Sequence, residues 1–327
     1  MRKRTLLTTI AITLLTTYAF SQDIAGDFKP SGKAFMKIYT NYHSTWTDGE
    51  SDKVFEIQRA YFGYQAQFSE YISGRLTLDV GDPSFGDLEM TAYLKHAYVQ
   101  YKKDRLTAKI GMIGLHQFKL QEDLWGGRYL YKSFMDEHKI GPSADLGAYI
   151  SYEIHKMISV DLTVANGEGY KKVEADTVLK YSVGATLLPF DGLTVRASYD
   201  NMGKDSAQQT LALYVGYKAE KFSLGGELIR QLNHKRINQH DLSGLSFFGS
   251  YYMKKMRVFA RFDQLSSPAI SSATDPWNYA KDGQLIIAGL EFNPVRGIIV
   301  TPNYQGWIMA DGSGMSHSPY LSLEIKF

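Results

Sequence analysis

The stretch "SGRLTLDVGD" (residues 73–82) decides the fold. Counting from Ile72, one parity holds Ile72, Gly74, Leu76, Leu78 and Val80, and the other holds Ser73, Arg75, Thr77 and Asp79. Successive side chains of a strand point to opposite faces, so this is a strand with one apolar and one polar face. A soluble sandwich packs the apolar face on a second sheet. An outer-membrane barrel turns it to lipid and keeps the polar face for the aqueous interior. The rest of the chain has to decide between these two solvents.

Alternating segments of roughly ten residues, the length a tilted strand needs to cross a bilayer, recur from end to end. They run from 32–43, 54–68 and 71–81 to 283–293, 296–305 and 318–327. They number about sixteen, an even count, as bacterial barrels have. Connections after even-numbered segments are short: Ser69-Glu70, Lys103, His155, "PFD" at 189–191, Ala219-Glu220, Lys254-Lys255 and "PV" at 294–295. Those after odd-numbered segments are long and polar, as at 44–53, 82–89, 115–141, 232–241, 266–282 and 306–317. Short periplasmic turns and long extracellular loops sort this way in outer-membrane barrels, whereas Greek-key crossings have no reason to sort them. Beside the short turns, on the apolar parity, stand Phe68, Tyr101, Tyr152, Tyr217, Phe222, Tyr251, Phe292 and Phe327. Rings at one level on strand after strand predict an interfacial girdle, whereas core aromatics would cluster mid-strand. The expected fold is an all-β transmembrane antiparallel barrel.

The ends agree with this. "MRKRTLLTTIAITLLTTYAFSQ" has a basic start (Arg2, Lys3, Arg4), an apolar run from Leu6 to Phe20, and small residues Ala19 and Ser21. That pattern predicts a signal peptide over 1–21, a periplasmic segment over 22–31 and the barrel over 32–327. Without the three signal basics the chain holds 33 basic against 34 acidic residues, a balance that speaks against a polyanion partner such as nucleic acid. It contains no cysteine, which rules out disulfides, thiolate metal sites and a lipoprotein anchor. The last segment, "PYLSLEIKF", alternates and ends on Phe327. It resembles the C-terminal signal read by the barrel-assembly machinery.

Three stretches resemble the phosphate-selective porin O and P family of Gram-negative bacteria. They are "FEIQRAYFGYQAQFSEYISGRLTLDVG" (55–81), "LKHAYVQYKKDRLTAKIGMIGLHQF" (94–118) with "RYLYKSFMDE" (128–137), and "VANGEGY" (164–170). The resemblance implies a sixteen-stranded barrel, commonly a homotrimer, whose long third loop folds inward as a constriction. The chain departs from the phosphate-specific pattern, in which basic residues line the pore. Here the lumen parity carries Arg59, Arg75, Lys109, Arg196 and Arg261, opposed by Asp79, Asp145, Glu153, Asp161, Asp200, Glu227, Asp263, Glu291 and Glu324. A ring of one sign confers ion selectivity, so phosphate specificity does not transfer with the resemblance.

The expected pore-lining residues are therefore Arg59, Arg75, Lys109, Arg196 and Arg261 with Asp79, Asp200 and Asp263. Arg75 and Asp79, like Arg196 and Asp200, stand four positions apart on one strand, ~13 Å, too far for a direct pair. Each must find partners on neighbouring strands or face water. In 115–141 the apolar residues predict packing on the inner wall, with Lys119, Arg128 and Lys132 reaching the aqueous path. Enzyme signatures are missing: no GxSxG elbow, HExxH helix, P-loop or dinucleotide fingerprint occurs. The loop "HKRINQH" (234–240) could bind metal through His234 and His240, but solvated loop histidines are the plainer reading. These observations predict a porin, a passive channel set in outer-membrane lipid for small hydrophilic solutes or ions, anions such as phosphate among them. No cofactor, metal or catalytic residue is expected. The alternative is a plugged barrel with a structural, adhesive or enzymatic role.

Overall fold

The computed structural model describes residues 28–47, 49–81, 90–271 and 273–327. The expected signal peptide and the loop 82–89 lie outside the described residues. Sixteen strands follow in chain order: β1 (Ser31–Thr47), β2 (Glu50–Gln67), β3 (Ile72–Gly81), β4 (Ala92–Lys103), β5 (Leu106–Gly114), β6 (Ala144–His155), β7 (Ile158–Ala165) and β8 (Lys180–Leu187). They continue as β9 (Leu193–Met202), β10 (Gln208–Lys218), β11 (Phe222–Leu232), β12 (Leu242–Met253), β13 (Met256–Ser266), β14 (Gly283–Val295), β15 (Ile298–Met309) and β16 (Met315–Lys326). Each pairs antiparallel with its sequence neighbours, and β1 closes on β16 to form a barrel without edges. Within the long connection after β5 lie two helices, α1 (His116–Trp125) and α2 (Phe134–Glu137).

The barrel is built inside out. On β11, Leu224 and Leu228 are 55 % and 53 % exposed, while Ser223, Glu227 and Gln231 between them are 0–2 % exposed. An apolar exterior of this extent is incompatible with water and fits lipid. Leu76 on β3 belongs to this exterior, whereas Thr77 and Asp79 are buried inside. Phe68, Tyr101, Tyr152, Phe222, Tyr251, Phe292 and Phe327 are exposed beside the short turns, on the outer face. No helix among the described residues is long and apolar enough to cross a membrane, which says nothing against strands doing so.

Several boundaries differ from the sequence reading. Residues 44–53 are not a loop: β1 and β2 stay paired to Thr47↔Glu50. Asp48-Gly49 is itself a two-residue hairpin signal, so the polar residues before it continue the ladder instead of leaving it. The expected loop 306–317 shrinks to 310–314, because Trp307 and Ile308 pair with Ser316 and Met315. Three short turns shift, to 104–105, 156–157 and 296–297, since Lys103, His155 and Val295 still pair across their hairpins with Leu106, Ile158 and Ile298.

Candidate functional site: a lumen divided by a folded loop

After Gly114 the chain leaves the wall and enters the barrel. "HQFKLQEDLW" forms α1 because good helix formers fill it and no Gly, Pro or β-branched residue interrupts. Its buried face presents Gln117, Gln121 and Trp125 at helical spacing, and its exposed face joins Lys119 to Asp123 one turn on. Gly126 ends the helix at φ 64°, a left-handed conformation that favours glycine, and its N–H donates to the Glu122 carbonyl at 3.0 Å.

The loop docks on the inner wall of β10–β15. Trp125 sits edge-on to Phe248 and Phe259, each ring centroid 5.7 Å away. Its carbonyl accepts from Arg257 Nη1 at 2.8 Å, and the Lys132 carbonyl accepts from Arg261 Nη1 at 2.6 Å. Gln121 donates to Glu227 at 2.7 Å, and Tyr129 donates to Glu291 at 2.9 Å. Phe134, Met135 and Ile140 pack with Ile229, Leu242 and Leu265, while Leu130 packs in a second cluster with Leu285 and Ile287. Burying such a side chain contributes roughly 1.5–3 kcal/mol, so a dozen of them hold the loop firmly. The receiving wall is apolar where the rest of the lumen is polar, and β14 shows it in its sequence: "LIIAGL" is apolar on both parities. That was the signal for the docking wall, and simple alternation overlooks it.

The loop neutralises its own charges. Arg128 lies 3.3 Å from both Glu122 and Asp136 with its side chain 12 % exposed, and Lys132 pairs with Glu137 at 3.2 Å. Of the three loop cations expected to reach water, Lys119 is the well exposed one.

The wall charges fall into two groups. In the first, each cation meets a carboxylate in a buried pair. Arg196 donates to Asp161 through two nitrogens at 2.6 and 3.0 Å, crossing above β8 where Gly184 has no side chain to obstruct it. Lys180 lies 3.0 Å from Asp200, Arg257 2.6 Å from Glu291, Arg261 2.6 Å from Asp263, and Arg59 3.3 Å from Asp79. Six of the eight expected pore-lining positions are thus closed in ion pairs: Arg59 with Asp79, Arg261 with Asp263, Arg196 with Asp161, and Asp200 with Lys180.

The second group lies on β1 and β3–β5, outside the β10–β15 wall on which the loop docks. Arg75 donates to the Thr77 hydroxyl at 3.0 Å and stands 4.9 Å from the centre of the Phe35 ring. Lys109 lies over Tyr98 and Tyr149 at 5.6 and 5.2 Å. Lys95 lies over Tyr61 and Tyr170 at 4.9 and 5.5 Å. Together with Lys37, these cations have no carboxylate within ion-pair distance among the described residues. A ring face attracts a cation without cancelling its charge. Beside this strip, a cavity of about 390 Å³ is lined by Lys33, Gln65, Ser73, Arg75 and Tyr98. A smaller one, about 200 Å³, lies between the loop and β2, lined by Glu56, Arg59, Arg128 and Tyr320.

Sequence reasoning missed Lys37, Lys95, Lys180 and Arg257. Lumen parity alone marks Lys37, Lys180 and Arg257. Lys95 needed the structure, because a bulge between Thr77↔His96 and Leu78↔Leu94 brings both Lys95 and His96 to the inner side.

Two loop features complete the site's surroundings. His234 is buried rather than solvated, bonded to Gln231 at 2.5 Å, and both it and His240 stack on Trp277. Burial, with Lys235, His240 and Lys281 adding to it, pushes its pKa down to about 4. Glu168, Glu174 and Asp176 converge in the loop 166–179, but Arg236 holds Asp176 and two backbone N–H groups occupy Glu174. On the outer wall His317 Nδ1 shares a hydrogen bond with the Tyr304 hydroxyl at 2.6 Å.

No family model and no curated protein matches the chain. Solved structures do. OmpF of Salmonella typhi, determined in complex with daunomycin, superposes with a TM-score of 0.67 at 13% identity, over 90% of this chain and 97% of that one. An anion-selective porin from Comamonas acidovorans matches at 0.64 and 11%, over 91% and 100%. OmpT of Vibrio cholerae, in its trimer form, matches at 0.61 and 12%, over 92% and 100%. At these identities the likeness is one of fold: the chain has the sixteen-stranded porin-type barrel. The resemblance to phosphate-selective porins rests on the quoted sequence stretches alone.

Proposed function

We propose that the chain is a porin, a passive diffusion channel of the outer membrane for small hydrophilic solutes, and that it favours anions. The observation carrying this is the asymmetry of its charges. Lys180, Arg196, Arg257 and Arg261 on β8, β9 and β13 are closed by carboxylates, whereas Lys37, Arg75, Lys95 and Lys109 on β1 and β3–β5 have no carboxylate within ion-pair distance among the described residues. A one-sign strip in a low-dielectric wall raises the local concentration of the opposite ion. Phosphate is one small anion that fits; nothing in the strip is specific to it. The long-loop rim faces outward and the short turns face the periplasm. We infer a trimer, as one barrel of this fold forms. The test is a planar bilayer: the refolded protein gives stepwise channels whose reversal potential in a salt gradient has the sign of anion flow. A cation-signed potential rejects the preference.

Depth of loop packing favours a second reading, a plugged barrel with a structural, adhesive or enzymatic role. Pure protein that inserts but never conducts would establish that one.

Phe327 is read here as the assembly signal. It is exposed on the outer face, and its N–H donates to the Met36 carbonyl at 3.0 Å across the closing seam. Deleting Phe327 is expected to reduce folded barrel in the membrane several-fold, seen as lost heat-modifiable migration. Unchanged yield would make it an ordinary strand end.

A further inference from the structure

The lumen parity of β1–β4 carries rows of polar side chains at the short-turn end of the wall. Cross-strand register sets Lys33, Gln65, Arg75 and Tyr98 side by side in one row. Gln67, Ser73 and Gln100 form the next row toward the turns. Both rows line the cavity of about 390 Å³, a volume within the ~300–1,000 Å³ of small-molecule sites. Among the described residues no Asp or Glu lines it. The arginine is held in one pose. Its Nε donates to the buried Thr77 hydroxyl at 3.0 Å, and the Phe35 ring centre stands 4.9 Å from its guanidinium carbon. Both terminal nitrogens are left without a hydrogen-bond partner among the described residues. Their N–H donors, fixed in one plane, make the fork to which a carboxylate or phosphate binds through two oxygens. Lys33, Gln65 and Gln100 likewise make no side-chain hydrogen bond among the described residues.

These groups ask for different things of a ligand. The guanidinium fork takes an oxyanion, and Lys33 adds a charge of the same sign two strands away. The glutamines take something else. An amide both donates and accepts, and so does a sugar hydroxyl, whereas a halide or an acetate ion has nothing to donate to their carbonyls. Tyr98 ends the row with a ring against which a carbon skeleton packs. We propose that this cavity is a subsite for sugar acids, a carboxylate or phosphate carried on a hydroxylated ring or chain. The acid group lies on Arg75 and the hydroxyls lie on Gln65 and Gln100. The inference rests on the reading of the lumen as a solute path given under Proposed function, and it narrows the solutes to one class. A neutral sugar fits less well, because it leaves Arg75 and Lys33 without a counter-charge.

The test uses the refolded full chain, with glucuronate, glucose 6-phosphate, glucose, acetate and inorganic phosphate as separate probes. Binding is read as saturable block of the single-channel current and, in detergent, as a saturable shift in thermal midpoint. Glucuronate and glucose 6-phosphate are expected to bind, and the tighter of the two shows whether a carboxylate or a phosphate is preferred. Glucose and the two small anions should bind at least about tenfold more weakly, since each lacks the charge or the hydroxylated body. Arg75→Gln should weaken glucuronate binding by about tenfold or more, as loss of a charge-assisted hydrogen bond does. Gln65→Leu keeps every cation and removes one amide. It should weaken glucuronate several-fold, and it decides the matter if Arg75→Gln does not fold. Glucuronate binding unchanged in either folded variant overturns the proposal. So does a wild-type protein that binds glucose, acetate or inorganic phosphate as tightly as glucuronate. A conducting protein that glucuronate neither blocks nor stabilises sinks this inference alone. A protein that never conducts, yet is stabilised by glucuronate through Arg75, sinks the channel reading and keeps the sugar-acid site.

Discussion

Replacing residues 119–137 with a short Gly/Ser link is expected to raise single-channel conductance at least about twofold, because a sixteen-stranded barrel without a folded insert encloses a water-filled passage. The inserted loop brings Trp125, Tyr129, Leu130, Phe134 and Met135 into the interior, all of them buried. Insertion into the membrane should survive, since the lipid face is made by strand residues that the deletion leaves intact. Stability should fall nonetheless. Ile229, Leu242, Leu265, Leu285 and Ile287 would face water, and Arg257, Arg261 and Glu227 would lose the loop groups they bond. A lower thermal midpoint with higher conductance is therefore the expected combination. A shortened protein that conducts like the full chain would show that this loop does not limit the pore.

The loop also explains what could and could not be read from sequence. Strand parity placed Arg75, Asp79, Arg196 and Glu227 on the inner face correctly, because a period of two survives errors of a few residues at strand ends. It also showed that Arg196 and Asp200 cannot pair with each other. It did not show that Arg196 reaches Asp161. That contact spans two strand spacings across β8 and depends on register and on the bare backbone at Gly184. Likewise the apolar content of 115–141 pointed inward, but the partners of Trp125 lie on β12 and β13, more than a hundred residues away. The charges of the loop were legible only as a balanced list. Their pairing within the loop, Arg128 to Glu122 and Asp136, follows from a reversal at Gly126 that brings residues on both sides of it together. Local chemistry named the candidates, and long-range packing decided which of them stay free.

That division predicts opposite results for two sets of arginine and lysine replacements. Arg75→Gln with Lys109→Gln should move the reversal potential toward zero, because each removes a charge that no carboxylate cancels. The cost in stability should be about 1 kcal/mol or less per site, the size of a cation–π contact in a partly wet place. Arg196→Gln and Arg261→Gln should do the reverse. Each strands a buried carboxylate, Asp161 or Asp263, and breaking such a pair costs about 3–5 kcal/mol. The stranded carboxylate takes up a proton instead of staying charged in a low-dielectric wall, so the lumen's net charge changes little and selectivity with it. Pairing Arg196→Gln with Asp161→Asn should recover most of the lost stability, since neither partner is then left unmatched. Thermal midpoint by heat-modifiable migration and reversal potential in a salt gradient measure the two quantities on the same protein. If Arg196→Gln shifts the potential as far as Arg75→Gln does, the closed pairs are not closed to the permeating ion, and the basic strip on β1 and β3–β5 loses its claim to set the selectivity.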